Sequence, residues 1–321
     1  MQWQSEDEIR RILSQQERRI GEVFRLAINE YLNDVQMGRV IELLNQGRIN
    51  EALDGLIDIS RATVSASQTA FIAAAEATAK FIHSGNRVTI GFDQTNQRAL
   101  AVMNRNKLEF IRGFEQSQRR ATFLALQTGI QEGVGPREIA RRFRGSVGLT
   151  FNQQAAVDNY RRLLQRAGQD DLPRGLQREA FSRKLRDRRH DPRIARAIRE
   201  RRPLSKTEID RMVERYRLNY IKHRAENIAR TESLTSVHGG QDAALDDAID
   251  KGSINQDEIN QRWNTQRDGR ERDPHAELHG TSVPWGEPWV NSIGPIFHPG
   301  DRSADAANVI NCRCARTIRI R

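Results

Sequence analysis

The chain has only two cysteines in 321 residues, Cys312 and Cys314, separated by a single arginine. Bridging i to i+2 strains a disulfide, and one such pair makes no disulfide framework, so the sequence predicts a protein made in a reducing compartment. Nothing approaches the roughly 18 consecutive apolar residues that cross a bilayer, and no membrane partner is expected. The opening Met1-Gln2-Trp3-Gln4-Ser5-Glu6 has no basic stretch leading into an apolar run, so no signal peptide is expected. Aromatics are scarce at 6%, and hydrophobic residues, at 37%, fall below the globular norm. Such a chain predicts thin helical layers with much solvated surface. Internal repeats and low-complexity linkers are missing too. So are a nucleophile elbow, a phosphate-cradling glycine loop and paired carboxylates at a diagnostic spacing, and no catalytic residue is assigned.

Positive charge is in excess, at a net +10, and it is unevenly placed. Residues 101–150 hold 9 Lys/Arg against 4 Asp/Glu, and 151–220 hold 19 against 10. The flanks are slightly acidic, with 11 against 13 over 1–100 and 13 against 15 over 221–321. A focused positive field attracts polyanions, nucleic acid above all. It also fits a solvated helix face that meets an acidic protein. The densest stretch lies within a basic segment at 174–217. There Arg183, Lys184, Arg186, Arg188, Arg189, Arg193, Arg196 and Arg199 are candidates for phosphate contacts without sequence preference.

Apolar residues at steps of three and four predict a helix from residue 6 to about 35, with Ser5 and Glu8 at capping-box spacing. Further helices are expected over 40–44, 50–82 and 95–128, with a strand or extended link at 88–92. Shorter helices follow from Pro136 and from Leu149-Thr150. Beyond Asp191-Pro192 another is expected, and then a long one capped by Thr207 and ending at Gly239-Gly240. After Ser253 the character changes. A short helix start is expected at 257–259, a strand at 262–265, ordered loop over 280–300, and terminal strand at 309–310 and 317–320. The fold class predicted is mainly α with a small C-terminal α+β domain of few short strands and long ordered loops. Its parts are an N-terminal helical domain (1–92), a helical middle (93–240) and a C-terminal module (241–321).

That module concentrates the chemistry. A Cys-x-Cys on a strand puts both sulfurs on one face, and His275 and His279 share a face if helical. Together His275, His279, Cys312 and Cys314 have the composition of a tetrahedral structural zinc site. The competing reading makes the cysteines small buried apolar residues and His275 a hydrogen-bonded core residue. His279, His298, Asp301 and Cys312 also admit a hydrolase reading, with no diagnostic spacing behind it. Asp301, in Pro-Gly-Asp, suits a turn fixed through its carboxylate, and Asn311 suits similar work. Trp263, Trp285 and Trp289 have the chemistry to stack on bases, but the slightly acidic tail favours their packing a small core.

Three stretches carry a resemblance. They are Phe92-Asp93 to Gly135, then Arg224-Ala225-Glu226-Asn227-Ile228-Ala229-Arg230-Thr231-Glu232, then the tail. In the tail stand Trp263-x-Thr265, Asp268-x-Arg270, His275-x-x-x-His279-Gly280, Pro299-Gly300-Asp301 and Asn311-Cys312-Arg313-Cys314. Together they resemble the phage Mu F-like minor head protein family, also called phage head morphogenesis proteins. The residues that carry it include Arg230, Glu232, Trp263, Asp268, Arg270, Gly280, Asp301 and Asn311. The resemblance implies a non-enzymatic minor protein of a tailed-phage or prophage head, assembled in the bacterial cytoplasm and acting with the portal. Implied partners are the portal protein, the major capsid or scaffold protein, and double-stranded DNA, with residues 1–92 as the docking side. It also implies that Cys-x-x-Cys often stands in relatives where this chain has its histidines, an exchange that preserves zinc binding. Two alternatives stay open: a non-specific DNA-binding protein for packaging or ejection, and a metal-dependent nuclease or hydrolase.

Overall fold

A computed structural model describes residues 3–54, 56–86, 91–93, 96–169 and 175–321. Most of the link expected at 88–92 lies outside these residues, as do the first residue of the basic segment, Arg174, and residues 94–95 of the first resembling stretch. In chain order the elements are α1 (Glu6–Tyr31), α2 (Asp34–Asn45), α3 (Ile49–Asp54), α4 (Ile57–Asn86), α5 (Gln97–Gln131), α6 (Pro136–Ser146), α7 (Phe151–Arg166), α8 (Leu176–Ser182), α9 (Asp191–Arg199) and α10 (Lys206–Asp250). Then come β1 (Ile259–Asn264), α11 (Asp273–Ala276), β2 (Ser282–Pro284), β3 (Trp289–Val290), β4 (Pro295–Ile296), α12 (Ala306–Val309) and β5 (Ala315–Ile320). The architecture is mainly α with a small α+β tail.

Several expected boundaries move, each for a local reason. The helix expected over 50–82 is two helices, α3 and α4. Long helix α10 begins one residue before Thr207, because Ser205 caps it. The Ser205 hydroxyl accepts the Glu208 N–H at 3.3 Å while a Glu208 carboxylate oxygen accepts the Ser205 N–H at 2.8 Å. Instead of stopping at Gly239-Gly240, α10 runs through to Asp250, across the boundary expected at 240. Those glycines serve a close approach: a Cβ on Gly240 would lie 2.3 Å from the Phe71 carbonyl oxygen of α4. Val309 ends α12 and is not in a strand, and the expected helix start at 257–259 is a single 3-10 turn, Gln256–Glu258, leading into β1.

The chain forms two compact units. One comprises Met1–Phe24, Ser60–Ile111 and Ala225–Arg321; the other comprises Arg25–Ile59 and Arg112–Arg224. In the first, alanines do the work that large side chains do elsewhere. Ile20 packs on Ala66, Ala70 and Ala229, and Ile12 on Ala74 and Val237, so α1, α4 and α10 approach closely without aromatic bulk. The tail adds an antiparallel sheet of order β2-β1-β5 and a β3-β4 hairpin. Its register pairs Trp263 with Arg316 and Asn264 with Ala315. Ile82, Leu245 and Ala248 of the helices close over Ile259, Trp285, Ile318 and Ile320 of the tail.

In the second unit, Gln118 of α5 ties off the α6–α7 connection. Its amide donates to the Ser146 carbonyl at 2.9 Å, and its Oε1 accepts the Gly148 N–H at 2.9 Å. Tyr160 of α7 and Tyr216 of α10 pack ring on ring at a 48° tilt with centroids 4.6 Å apart, and Asn219 of α10 donates to the Leu185 carbonyl at 2.8 Å. All of the basic excess belongs to this unit, whose residues 25–59 and 112–224 hold 31 Lys/Arg against 19 Asp/Glu.

Candidate metal centre and basic surface

The tail is held to α10 by polar contacts that begin with a buried arginine. Arg316 points inward from β5 and is 1% exposed. Its guanidinium donates to the His238 carbonyl at 3.0 Å and to Gln261 Oε1 at 3.2 Å, pairs with Asp242 at 2.5 Å, and lies over the Trp285 ring at 5.1 Å. His238, fully buried on α10, faces this arginine and the His298 ring, 5.9 Å away, while its Nδ1 meets Gln241 Oε1 at 2.6 Å. Burial above all, then Arg316 and His298, pushes the His238 imidazole well below its ordinary value of 6.5. Its folded value is the depressed one, so the unfolded chain takes up this proton first. The stability tied to neutral His238 is complete above pH 6.5 and is lost as pH falls toward the folded value. Unfolding midpoints should therefore drop on acidification below about pH 6.5, at up to about 1.4 kcal/mol per pH unit, with a shallower slope in His238→Gln. Parallel slopes for the two proteins would reject this assignment.

The resembling residues occupy the same seam. Arg230 of α10 bonds the Asn311 side chain and pairs with Glu17 of α1 at 3.0 Å; the Thr231 hydroxyl accepts the Asn311 N–H at 3.1 Å. Asn311 adopts a left-handed φ of 59°, a conformation that asparagine tolerates. Glu232 receives Arg302, with both carboxylate oxygens 2.6 Å from Nη2. Asp301 fixes its turn by accepting the N–H of Phe297 at 3.0 Å and that of Ser303 at 2.8 Å. Asp268 pairs with Arg313, and Arg313 holds its carboxyl below the usual range. Arg270 is exposed, and its backbone N–H donates to Asp268. Gly280, with φ of 78°, donates its N–H to the Trp263 carbonyl at 2.8 Å. Trp263 is fully buried between His275 and Trp289, both at 5.3 Å. Arg10 of α1 caps this side, donating to the Thr265 carbonyl at 2.9 Å.

Of the four proposed metal ligands the structure gathers three. His275 Nδ1 lies 3.4 Å from Cys312 Sγ and 3.6 Å from Cys314 Sγ, and all three residues are buried. A tetrahedral zinc with bonds of about 2.05 Å to nitrogen and about 2.3 Å to sulfur would separate those atoms by about 3.5 Å. On the far side of the ring, His275 Nε2 meets Asn308 Oδ1 at 3.1 Å, and the Asn291 amide donates to that same oxygen at 3.1 Å. This assigns the ring proton to Nε2 and leaves the Nδ1 lone pair facing the sulfurs. Hydrogen bonds from the Cys314 thiol and from the Cys314 N–H hold Cys312 well below the ordinary thiol range. Facing that sulfur and buried, Cys314 is pushed up. Two sulfurs and a ring nitrogen gathered this closely suit a cation that displaces the thiol protons. The cluster has the composition and spacing to hold a metal ion.

His279 is not in the cluster. After α11 the chain tightens into i→i+3 bonds, with the His279 N–H on the Ala276 carbonyl at 3.1 Å and the Thr281 N–H on Leu278 at 3.0 Å. At three residues per turn, positions i and i+4 diverge by roughly a third of a turn. His279 is exposed instead, its Nδ1 accepting the Thr265 N–H at 3.1 Å. Nor is the hydrolase set assembled: His298 and Asp301 line one cavity of about 280 Å³, and neither His279 nor Cys312 lines it.

The eight basic candidates differ in exposure and pairing. Arg186 is a structural staple, its side chain 10% exposed and bidentate on Asp191 at 2.9 and 2.8 Å. Arg183 pairs with Glu179 and Arg189 with Asp187. On α9, Ile194 and Ala197 turn inward while Arg193, Arg196 and Arg199, at three-residue spacing, are 66, 69 and 72% exposed. Arg193 pairs with Glu208; Arg196 and Arg199 share Glu200. Lys184 and Arg188 are exposed and have no carboxylate partner among the described residues.

Sequence reasoning missed Asn308, Asn291, Arg302, Arg316 and His238. Arg302, next to the Pro-Gly-Asp turn, was the most discoverable of them. The fold and site define a helical protein whose terminal α+β module is clamped to a long helix around a His/Cys/Cys cluster. Residues 162–317 match the family model described as Phage Mu protein F like protein, so this part of the chain is similar to phage Mu F-like proteins. Such proteins are phage head morphogenesis proteins. No curated protein and no solved structure matches the chain. No helix among the described residues is long and apolar enough to cross a membrane.

Proposed function

We propose that the protein is a minor structural component of a tailed-phage or prophage head that acts with the portal during head assembly and remains in the virion. The Mu F-like match over residues 162–317 carries this reading. Helices within 1–92 are the proposed docking side toward the portal and the major capsid or scaffold protein. Purification through a tagged portal protein from the same phage, after co-expression, is expected to recover both chains. Recovery of portal alone overturns the portal role.

Genome contact is the second part of the reading, favoured by the outward arginines of α9. Their ion pairs are the exposed kind, worth about 0–1 kcal/mol, and a DNA phosphate can exchange for the carboxylate. Random-sequence duplex DNA should bind at low salt, with affinity falling steeply as salt rises. The triple variant Arg193→Gln, Arg196→Gln, Arg199→Gln should flatten the log–log salt slope by about 2–3. Arg186 is unsuited to that test because its loss unfastens the turn before α9. An unshifted DNA band at low salt removes genome contact and leaves the assembly role standing.

The His275–Cys312–Cys314 cluster is proposed as a structural zinc centre. When bound, zinc would tie the α11 turn to the residues that lead into β5. This revises the four-ligand set by leaving out His279.

A further inference from the structure

Zinc in proteins takes four ligands, and a centre with three protein ligands keeps a position open to an outside donor. Among the described residues, no fourth His, Cys, Asp or Glu atom joins His275, Cys312 and Cys314. His279, the obvious candidate, is turned to solvent and engaged by Thr265. The side of the cluster toward Trp263 and Trp289 is packed with rings, and the outer edge of His275 is taken by Asn308. Both cysteines, however, border a cavity of about 250 Å³ that Arg10, Glu17, Arg230 and Arg313 also line. That is room for several waters at roughly 30 Å³ each.

We propose, building on the zinc reading, that this centre draws its fourth ligand from that cavity, as an exchangeable monodentate water or small anion. The cavity's acids are already committed: Glu17 to Arg230 at 3.0 Å, and Asp268 to Arg313. A divalent ion with two thiolates is neutral, so an added anion leaves the centre at −1. Three lining guanidiniums oppose two carboxylates there, a balance that favours that anion. The centre is thus open to a ligand, beyond any bracing of the tail.

Cobalt substitution of the full chain tests this, because tetrahedral Co²⁺ reports its ligands in visible absorption. The expected result is one metal per chain, the same visible bands in wild type and in His279→Ala, and a saturable shift of those bands on adding azide to either protein. Bands lost or altered in His279→Ala would make that histidine the fourth ligand and overturn the proposal. So would bands indifferent to azide, which mean a closed centre. A different failure overturns the zinc reading itself: no bound metal in wild type, or equal binding by wild type and the Cys312→Ser, Cys314→Ser double variant. The His279→Ala and azide arms do not depend on whether the cysteine variants fold.

Discussion

Replacing Arg302 with alanine is expected to cost the folded protein about 3–5 kcal/mol at neutral pH, among the largest losses that any single substitution here should cause. Glu232 is 7% exposed, and Arg302 is the cation on its carboxylate, 2.6 Å from both oxygens. Even with that partner, burial pushes Glu232 above its ordinary value of 4.5, and Glu109 adds to the shift. Removing the guanidinium strands a buried charge beside a like one. The pH dependence has a definite sign. A carboxyl raised in the fold contributes its stability in full below pH 4.5 and loses it as pH rises through the folded value. Without Arg302 that loss deepens, so the gap between variant and wild type should be widest at neutral pH and narrow toward pH 4.5. Denaturant midpoints at the two pH values measure it. Glu232→Gln should cost less than Arg302→Ala, and adding it to Arg302→Ala should restore part of the loss. An Arg302→Ala protein within about 0.5 kcal/mol of wild type at neutral pH would mean that this pair does not hold the turn to α10.

The Ala-Arg-Thr-Glu stretch thereby acquires a physical meaning. Arg230 and Thr231 grip Asn311, and Glu232 grips Arg302, so consecutive residues of one helix anchor two separate tail segments. The helical period made α1 legible, because its apolar stripe of Ile9, Ile12, Ile20, Phe24 and Ile28 is buried. Local start signals were degenerate. Both Ser205 and Thr207 have an acid three residues on, and in the structure it is Ser205 that caps the helix, with Glu208 closing the box. The cysteine pair and His275 were legible as candidate ligands by residue type, and the structure brings them together. His279 was misread because its place depends on whether one turn is α or 3-10, a choice made by the loop that closes at Gly280. Arg316 was not legible as a buried hub, since strand alternation does not say what covers a face. Nor was the discontinuous division into units, which arises from contacts between residues far apart in sequence. Among the arginines, Arg196 with Glu200 follows from i,i+4 spacing, whereas Arg193 with Glu208 joins separate helices.

Gly240→Ala should reverse the usual helix rule. In an exposed helix interior, alanine is worth about 1 kcal/mol more than glycine, which is why a Gly-Gly pair reads as a stop. Here the added methyl would sit 2.3 Å from the Phe71 carbonyl oxygen, 3.0 Å from the Ala75 nitrogen and 3.1 Å from the Ala74 Cβ. The two nearest are backbone atoms of α4, which cannot swing aside as a side chain does, so α4 and α10 must separate. We expect a loss on the order of 3 kcal/mol, at the upper end of overpacking costs. Two companions isolate the cause. Gly239→Ala meets only the Phe71 ring edge, at 3.3 Å, and should cost less. Gly113→Ala, on α5 with nothing within 4 Å, should be neutral or stabilising by about 0.4–1 kcal/mol. Thermal midpoints of the three proteins decide the matter: equal midpoints for Gly240→Ala and Gly113→Ala would mean that α4 and α10 do not meet backbone to side chain at this point. A fall at Gly240 with none at Gly113 would locate the tight crossing, and would explain why α10 carries two glycines in its interior and still continues to Asp250.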